Sequence, residues 1–255
     1  MSNSNKHEFA FYLENSTDTI DAFDREDNIH IESAEIAHRL SHIIRAEEKD
    51  RFILFDRKNN TTLELKEIIK NKIIRANIIK KEKNTILQPT INFIIPLLKR
   101  DYFEASLYSL TELGANTITT VITKKSQKKW LRQKANKRFL HIITSAAEQS
   151  KNFSFPELKA PVSLEDYINE VNVEKKSVCI FFDPQGENLE TVIQKINIQP
   201  FKKINLMIGP EGDLAKEEKN MIKNKGFIFC RLTPTILRSC QAVAVGLGAF
   251  RSLLK

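Results

Sequence analysis

The apolar run Ile204-Asn205-Leu206-Met207-Ile208 stops at Gly209-Pro210-Glu211-Gly212. A short apolar run closed by glycine and proline reads as a buried strand entering a tight loop. It is one of several such runs. Ile91–Ile95, Thr117–Thr123, Val178–Phe182 and Phe227–Cys230 are also strand-like, and helical patterns lie between them. Strands alternating with helices predict an α/β fold, a mostly parallel sheet covered on both faces. In such sheets ligands sit at the carboxyl ends of the strands. The loop after Ile208 is therefore a candidate binding wall. The run Arg231–Gly248 (RLTPTILRSCQAVAVGLG) follows one helix and one strand later, and the two loops are expected to form one site.

The chain before residue 80 has a different grain. Phe9–Leu13 reads as a strand, and Glu35–Ile44 as a short amphipathic helix. Arg51–Phe55, the turn at 56–60 and the return strand Thr61–Leu65 predict a hairpin, with a further strand over Ile73–Ile79. Asp24, Asp27 and His30 read as a turn. Residues 1–80 are expected to be a small β-rich barrel with one helix, and Lys80–Asn84 the charged boundary to a domain over 81–255. In that second part Tyr102–Leu113 predicts a helix capped by Gly114. Asn152–Leu164 reads as loop, Asp183-Pro184-Gln185-Gly186 as the end of a strand, and Leu189–Ile196 and Lys216–Asn224 as helices. Pro234 is expected to start a last helix running to Leu253.

The 255 residues carry a formal net charge of +8, with 41% hydrophobic and 28% charged residues. That is a soluble composition for which a polyanion partner is plausible. The densest basic stretch, Lys124–Arg138, holds Lys124, Lys125, Lys128, Lys129, Arg132, Lys134, Lys137 and Arg138 without one acid. It leads into an amphipathic helix over about 130–149, with Leu131, Ala135, Phe139, Ile142 and Ala146 at helical spacing. Phosphate contact and a merely solvated helix face both fit this stretch. No signal peptide and no apolar stretch of membrane-spanning length is visible. Cys179, Cys230 and Cys240 lack paired spacing and read as structural thiols. His38 and His42 are four apart on one helix, but no further ligand pattern supports a metal, and none is expected.

Gly-Pro-Glu-Gly is neither a dinucleotide fingerprint nor a phosphate-binding P-loop. Its backbone N–H and C=O groups can instead hold an adenine or ribose edge. Downstream, the small residues from Ala242 to Ala249 suit a helix–helix or dimer contact as well as a simple core helix. Arg238 stands at the edge of the loop, where a helix-surface charge and a substrate or cofactor role both fit.

Together these pieces resemble a known family. Glu35–Arg45 with Asp50, Thr111-Glu112-Leu113-Gly114, Ala146-Ala147-Glu148-Gln149-Ser150, Ile208-Gly209-Pro210-Glu211-Gly212 and Ile236-Leu237-Arg238 occur in the order and spacing of the ribosomal RNA small subunit methyltransferase E family. These are SPOUT-superfamily enzymes that methylate N3 of a uridine in 16S ribosomal RNA. The resemblance implies a trefoil-knotted, mostly parallel α/β sheet with a small N-terminal PUA-like β-barrel. It implies a cytoplasmic homodimer acting on 16S ribosomal RNA or the small subunit, with S-adenosylmethionine as cofactor and no membrane. On it, Leu206, Met207, Ile208, Gly209, Pro210, Glu211, Gly212, Leu232, Thr233, Pro234, Ile236 and Leu237 would hold the cofactor, and Arg238 would be catalytic. Arg45, Lys124, Lys125, Lys128, Lys129, Arg132 and Lys151 would meet RNA.

The sequence departs from that family at several places. Asp213 stands where a second glycine is usual, and Ala215 where a helix-capping serine is usual, so Asp213 is the remaining candidate for the cap. Thr233 and Thr235 replace a glycine and an arginine, Cys240-Gln241 a glutamate-threonine pair, and Asn152 an arginine. Tyr108 and Ser109 occupy the slots of a glutamine-lysine pair. The alternatives are an active enzyme with altered contacts, an inactive or re-targeted RNA-binding or ribosome-assembly protein, and, least supported, a dinucleotide oxidoreductase lacking its glycine fingerprint.

Overall fold

The structure is a computed structural model of the chain; it describes residues 8–21, 28–126, 133–171, 177–197 and 201–254. In order, the elements are β1 (Phe9–Tyr12), α1 (Ser16–Asp21), β2 (Asn28–Glu32), α2 (Ala34–His38), a π-helical turn over Arg39–Ile44, β3 (Arg51–Phe55), β4 (Asn59–Ile69) and β5 (Ile73–Lys83). Then come β6 (Thr90–Pro96), α3 (Arg100–Glu112), β7 (Thr117–Ile122), α4 (Gln133–Ser150), β8 (Glu157–Ser163) and α5 (Leu164–Glu170). The rest are β9 (Ser177–Asn188), α6 (Leu189–Asn197), β10 (Lys203–Ile208), α7 (Lys216–Asn224), β11 (Ile228–Arg231) and α8 (Ser239–Leu253). The chain divides into two compact units, one of residues 1–85 with 147–154, the other of 86–146 with 155–255.

The first unit is built on a five-stranded mixed sheet in the order β1-β3-β4-β5-β2. Only β1 and β3 run parallel. Alternation selects its inner face: in β4 Thr61, Leu63 and Leu65 are buried while Asn60, Thr62 and Glu64 are half-buried. Leu63 and Leu65 pack with Phe11, Phe52, Leu54, Ile74 and α2 residues Ile36 and Ala37. His30 belongs to β2, paired with Arg75, and not to a turn, because Ile29 and Ile31 on either side of it fill this core. Lys80–Lys83 continue β5 opposite Asn59–Thr62, with their side chains in solvent, and the first unit's opening segment ends just beyond them at Thr85.

The second unit carries a six-stranded sheet in the order β11-β9-β10-β6-β7-β8, every pairing parallel. Its central strands are buried on both faces, as continuous apolar runs in a helix-covered parallel sheet must be. Register aligns the carboxyl ends of β6, β9 and β10, with Met207 beside both Ile94 and Phe181. Gly114 ends α3 at φ +80, a left-handed shape that glycine adopts freely.

Three expectations fail here. Residues 157–163 form β8 rather than loop; it is an edge strand, and its Pro161 falls at the register shift against β7, where proline is tolerated. The strand at 178–182 does not end at Asp183. It runs on to Asn188 through a bulge, where the pairing of β11 jumps from Phe181 to Glu187. The last helix starts at Ser239, five residues beyond Pro234, because the intervening segment turns on itself instead: Thr233 Oγ1 donates to the Thr235 carbonyl at 2.7 Å.

Candidate functional site

The carboxyl ends of β9, β10 and β11 open onto one cleft of about 570 Å³. From β9 it takes Phe181, Phe182, Asp183 and Pro184, and from the loop after β10 it takes Ile208, Gly209, Pro210, Glu211 and Asp213. From β11 and the loop before α8 come Cys230, Arg231, Leu232, Thr233, Thr235, Ile236, Leu237, Arg238 and Ser239. Lys99 and Tyr102, at the start of α3, and Ala242 complete the wall. The two loops singled out in the sequence thus do line one cavity. Ile208, Gly209, Pro210, Glu211, Leu232, Thr233, Ile236, Leu237 and Arg238 all face it. Leu206 and Met207 are wholly buried in the sheet behind it, and Gly212 and Pro234 are outside its lining.

Sequence reasoning missed the contribution of β9. Its signal was present, since Asp183-Pro184 closes the apolar run Val178–Phe182, but it reads as a strand end only. Lys99 and Tyr102 had no signal of their own. They are brought in by Glu211, whose Oε1 accepts the Lys99 backbone N–H at 2.9 Å and ties the start of α3 to the Gly-Pro-Glu-Gly loop.

The floor holds a charged knot. Asp183 is 5% exposed, and its Oδ1 accepts the Gln185 backbone N–H at 2.8 Å. Lys219 Nζ lies 2.8 Å from Asp183 Oδ2 and 2.8 Å from Asp213 Oδ2. Burial works against the Lys219 ammonium, but its hydrogen bonds to the two carboxylates outweigh it and hold the pKa above the ordinary 10.5. Asp213 sits at φ +58, the left-handed region where glycine is the default and aspartate is one of the tolerated exceptions. It does not cap α7 as expected. The cap residue is Ala215, and Asp213 Oδ1 takes the Leu214 N–H instead. Ala215 offers no side-chain acceptor, yet Glu218 still accepts its N–H at 2.8 Å and that of Lys124 at 2.8 Å.

Cys230 is no nucleophile: burial first, and Glu187 second, push its thiol up to about 12. Arg238 is exposed at the N-terminal cap of α8, where unpaired helix N–H groups and a guanidinium favour the same anion. Of the residues expected to meet RNA, Lys124 pairs with Glu217 at 3.2 Å, and Lys125 Nζ donates to the Gly212 carbonyl at 2.7 Å. Arg45 and Lys151 are exposed in the first unit, both at positive φ. Lys128, Lys129 and Arg132 lie outside the described residues. The rings of His38 and His42 stack at 4.6 Å, and among the described residues no cluster of three or more side chains could hold a metal.

Comparison with known proteins agrees with this geometry. The profile of the family described as RNA methyltransferase domain matches residues 86–251. The chain is 29% identical to a ribosomal RNA small subunit methyltransferase E 2 of Borreliella burgdorferi, over 88% of this chain and 91% of the relative. It is 26% identical to a ribosomal RNA small subunit methyltransferase E of Buchnera aphidicola, over 86% and 88% of the two. Among solved structures, a ribosomal RNA small subunit methyltransferase E from Neisseria gonorrhoeae bound to S-adenosyl methionine superposes with a TM-score of 0.80 at 19% identity, covering 97% and 98% of the two chains. A putative methyltransferase from Legionella pneumophila, also in complex with that cofactor, gives 0.78 at 24% identity, with 97% and 98% covered. These likenesses span both units, the parallel sheet of SPOUT type and the separate mixed sheet before it.

Proposed function

We propose, from the premise that this chain belongs to the RNA methyltransferase domain family, that it methylates N3 of a uridine in 16S ribosomal RNA with S-adenosylmethionine. The observation that carries the proposal is the meeting of the Gly209–Glu211 and Leu232–Arg238 loops around one cleft at the strand ends. The residues present fit the cofactor. The volume of about 570 Å³ lies in the range of small-molecule sites, and Phe181, Phe182, Pro184 and Leu237 give apolar walls for a purine. Backbone N–H and C=O groups of the two loops would hold its polar edges, with Leu206 and Met207 supporting them from behind.

When bound, S-adenosylmethionine supplies a methyl group on a sulfonium, open to direct displacement by an aligned nucleophile. Uridine N3 becomes that nucleophile only on losing its proton. Arg238 stabilises the negative charge that then develops on the uracil, in a cleft whose apolar walls strengthen the interaction. The target uridine must leave its stack to enter. The first unit, with Arg45 and Lys151, and the basic segment 124–132 would position the RNA backbone.

The protein acts in the cytoplasm as a homodimer on this reading. Among the described residues no helix is long and apolar enough to cross a membrane. The partly exposed small residues Ala244 and Ala249 of α8 suit a close helix contact with a second copy.

Calorimetry with S-adenosylmethionine tests the cofactor, and mass mapping of nucleosides in 16S ribosomal RNA from cells lacking the gene tests the product. Absence of cofactor binding would sink the enzyme reading. An Arg238→Ala protein that methylates at the normal rate would remove the role given to Arg238.

A further inference from the structure

Three cations stand at the mouth of the cleft without a carboxylate partner among the described residues. Lys99 precedes α3, Arg231 ends β11 and Arg238 caps α8; all three are exposed. Arg231 gives its guanidinium to the amide oxygen of Asn188, a neutral partner that leaves its charge uncompensated. Asp183 and Asp213 share Lys219, so the acid opposing this rim is Glu211. Glu211 also fixes the corner that carries Lys99, through the Lys99 backbone N–H.

The sheet sets the spacing. From β6, which leads to Lys99, the order runs through β10 and β9 to β11, which ends in Arg231. Three strand spacings put the two corners roughly 14 Å apart across the mouth. Between Arg231 and Arg238 in the chain, Ile236 is 83% exposed, an apolar side chain held in water at the rim. Cations that flank an apolar ledge match a single nucleic-acid strand, with phosphates on the charges and a base on the ledge. The described members of the 124–138 run are less available. Lys124 and Lys125 are already engaged with Glu217 and the Gly212 carbonyl, and Arg138 is held by Glu104 at 2.6 Å.

We infer that Lys99 and Arg231 seat the phosphates of an RNA strand that crosses the carboxyl ends of β6, β10, β9 and β11, with a base resting on Ile236 and Arg238 kept for the target uracil. The inference deepens the RNA-methylation reading and rests on it. Lys99 and Arg231 are binding residues on this view and touch no reacting atom.

The test uses the full chain and a fluorescein-labelled single-stranded oligouridylate, followed by anisotropy over a range of KCl concentrations. Each phosphate contact on a single strand contributes about 0.7 to the slope of log affinity against log salt. Lys99→Gln and Arg231→Gln should each weaken binding and lower the slope by about 0.7. Ile236→Ser should weaken binding at unchanged slope, and the exposed α7 control Lys216→Gln should change neither. Glutamine keeps the stem of each side chain, and thermal melts check that each variant is folded. Slopes for Lys99→Gln and Arg231→Gln equal to that of the control overturn the inference. So does a Lys99→Gln or Arg231→Gln protein that loses S-adenosylmethionine binding by calorimetry while keeping the wild-type slope, since that residue would then belong to the cofactor. Failure of the wild type itself to bind S-adenosylmethionine instead strikes the enzyme reading, and the slopes still decide whether the strand lies on this rim.

Discussion

Gly246 and Gly248 are two residues apart on α8, yet alanine should act on them with opposite sign. A Cβ built on Gly246 would lie 2.5 Å from Cε2, 2.9 Å from Cζ and 3.2 Å from Cδ2 of Phe182. That ring cannot simply swing aside. It packs against Phe93 at 6.3 Å and Phe250 at 5.9 Å between centroids, and its residue is 8% exposed. Overpacking of this kind costs about 1–3 kcal/mol, and exchanging a helical glycine for alanine returns up to about 1. At so short a contact the overpacking dominates, giving a net loss of about 1–2 kcal/mol. At Gly248 the added Cβ would meet only Leu113 Cδ2, at 3.9 Å, an ordinary contact. Helix propensity then decides, and Gly248→Ala should gain about 0.5–1 kcal/mol. In thermal unfolding, at about 2–4 °C per kcal/mol for a chain of this size, Gly246→Ala should lower Tm by roughly 2–8 °C and Gly248→Ala raise it by about 1–4 °C. Phe182 lines the cleft, so Gly246→Ala should also weaken S-adenosylmethionine binding in calorimetry while Gly248→Ala leaves it alone. Shifts of the same sign and size would refute the packing argument, because propensity alone predicts a gain at both sites.

Gly186 presents a harder case: its Cβ would fall 2.5 Å from Cys230 N and 2.6 Å from Phe229 O, backbone atoms that cannot rotate away. Gly186→Ala should cost about 3 kcal/mol in urea denaturation, and an unchanged midpoint would show that β9 and β11 do not approach so closely. Lys219→Met leaves the buried Asp183 without its cation and should cost about 3 kcal/mol at neutral pH, the low end for a buried pair because Lys219 is partly exposed. Because the folded Lys219 pKa is raised, the wild type keeps this contribution below pH 10.5 and loses it as pH climbs through the higher folded value. A deficit of Lys219→Met that persists undiminished above that value would contradict the pairing. Glu104 accepts from Arg138 Nε at 2.7 Å and Nη2 at 2.6 Å and from Arg100 Nε at 2.8 Å. The Arg138 hydrogen bonds, first, hold its carboxyl below the ordinary 4.5 despite burial. A depressed carboxylate pKa stabilises above the unfolded value and is lost as pH falls through the folded one, so Glu104→Gln should lower Tm above pH 4.5 and converge on the wild type in stronger acid. A constant gap through that window would exclude the ion pair as its source.

What was legible in the sequence was what depends on burial. The strands at 91–95 and 204–208 are largely apolar because both faces of a parallel sheet are covered, and the end of the second opens onto the cleft. The helix over Lys216–Asn224 was readable from its period and from Gly226, which takes φ +91. What stayed hidden depends on partners distant in the chain. β8 looks like loop because an edge strand needs only one neighbour and keeps its charges and Pro161 in solvent. The bulge in β9 is legible only once β11 is known to skip from Phe181 to Glu187. Lys99 enters the site through a hydrogen bond to a residue 112 positions away, which no local pattern encodes.

The departures from the family pattern become intelligible in the same terms. A pocket walled by backbone constrains φ and ψ more than side-chain identity. Asp213 replaces a glycine at φ +58, and it can, because a short carboxylate tolerates that region and finds both the Leu214 N–H and Lys219. Ala215 loses the serine oxygen, but the other half of the capping box survives in Glu218, which also gathers Lys124 into the start of α7. At 233–235 a threonine side chain bonds its own turn where a glycine would have relied on freedom alone, and Pro234 stiffens the same segment. Each change preserves the path of the chain around the cleft. What they alter is the charge the rim presents. With threonine at 235, the positive field at the mouth rests on Arg231, Arg238 and Lys99, so a change of RNA preference would arise there, with the cofactor walls intact.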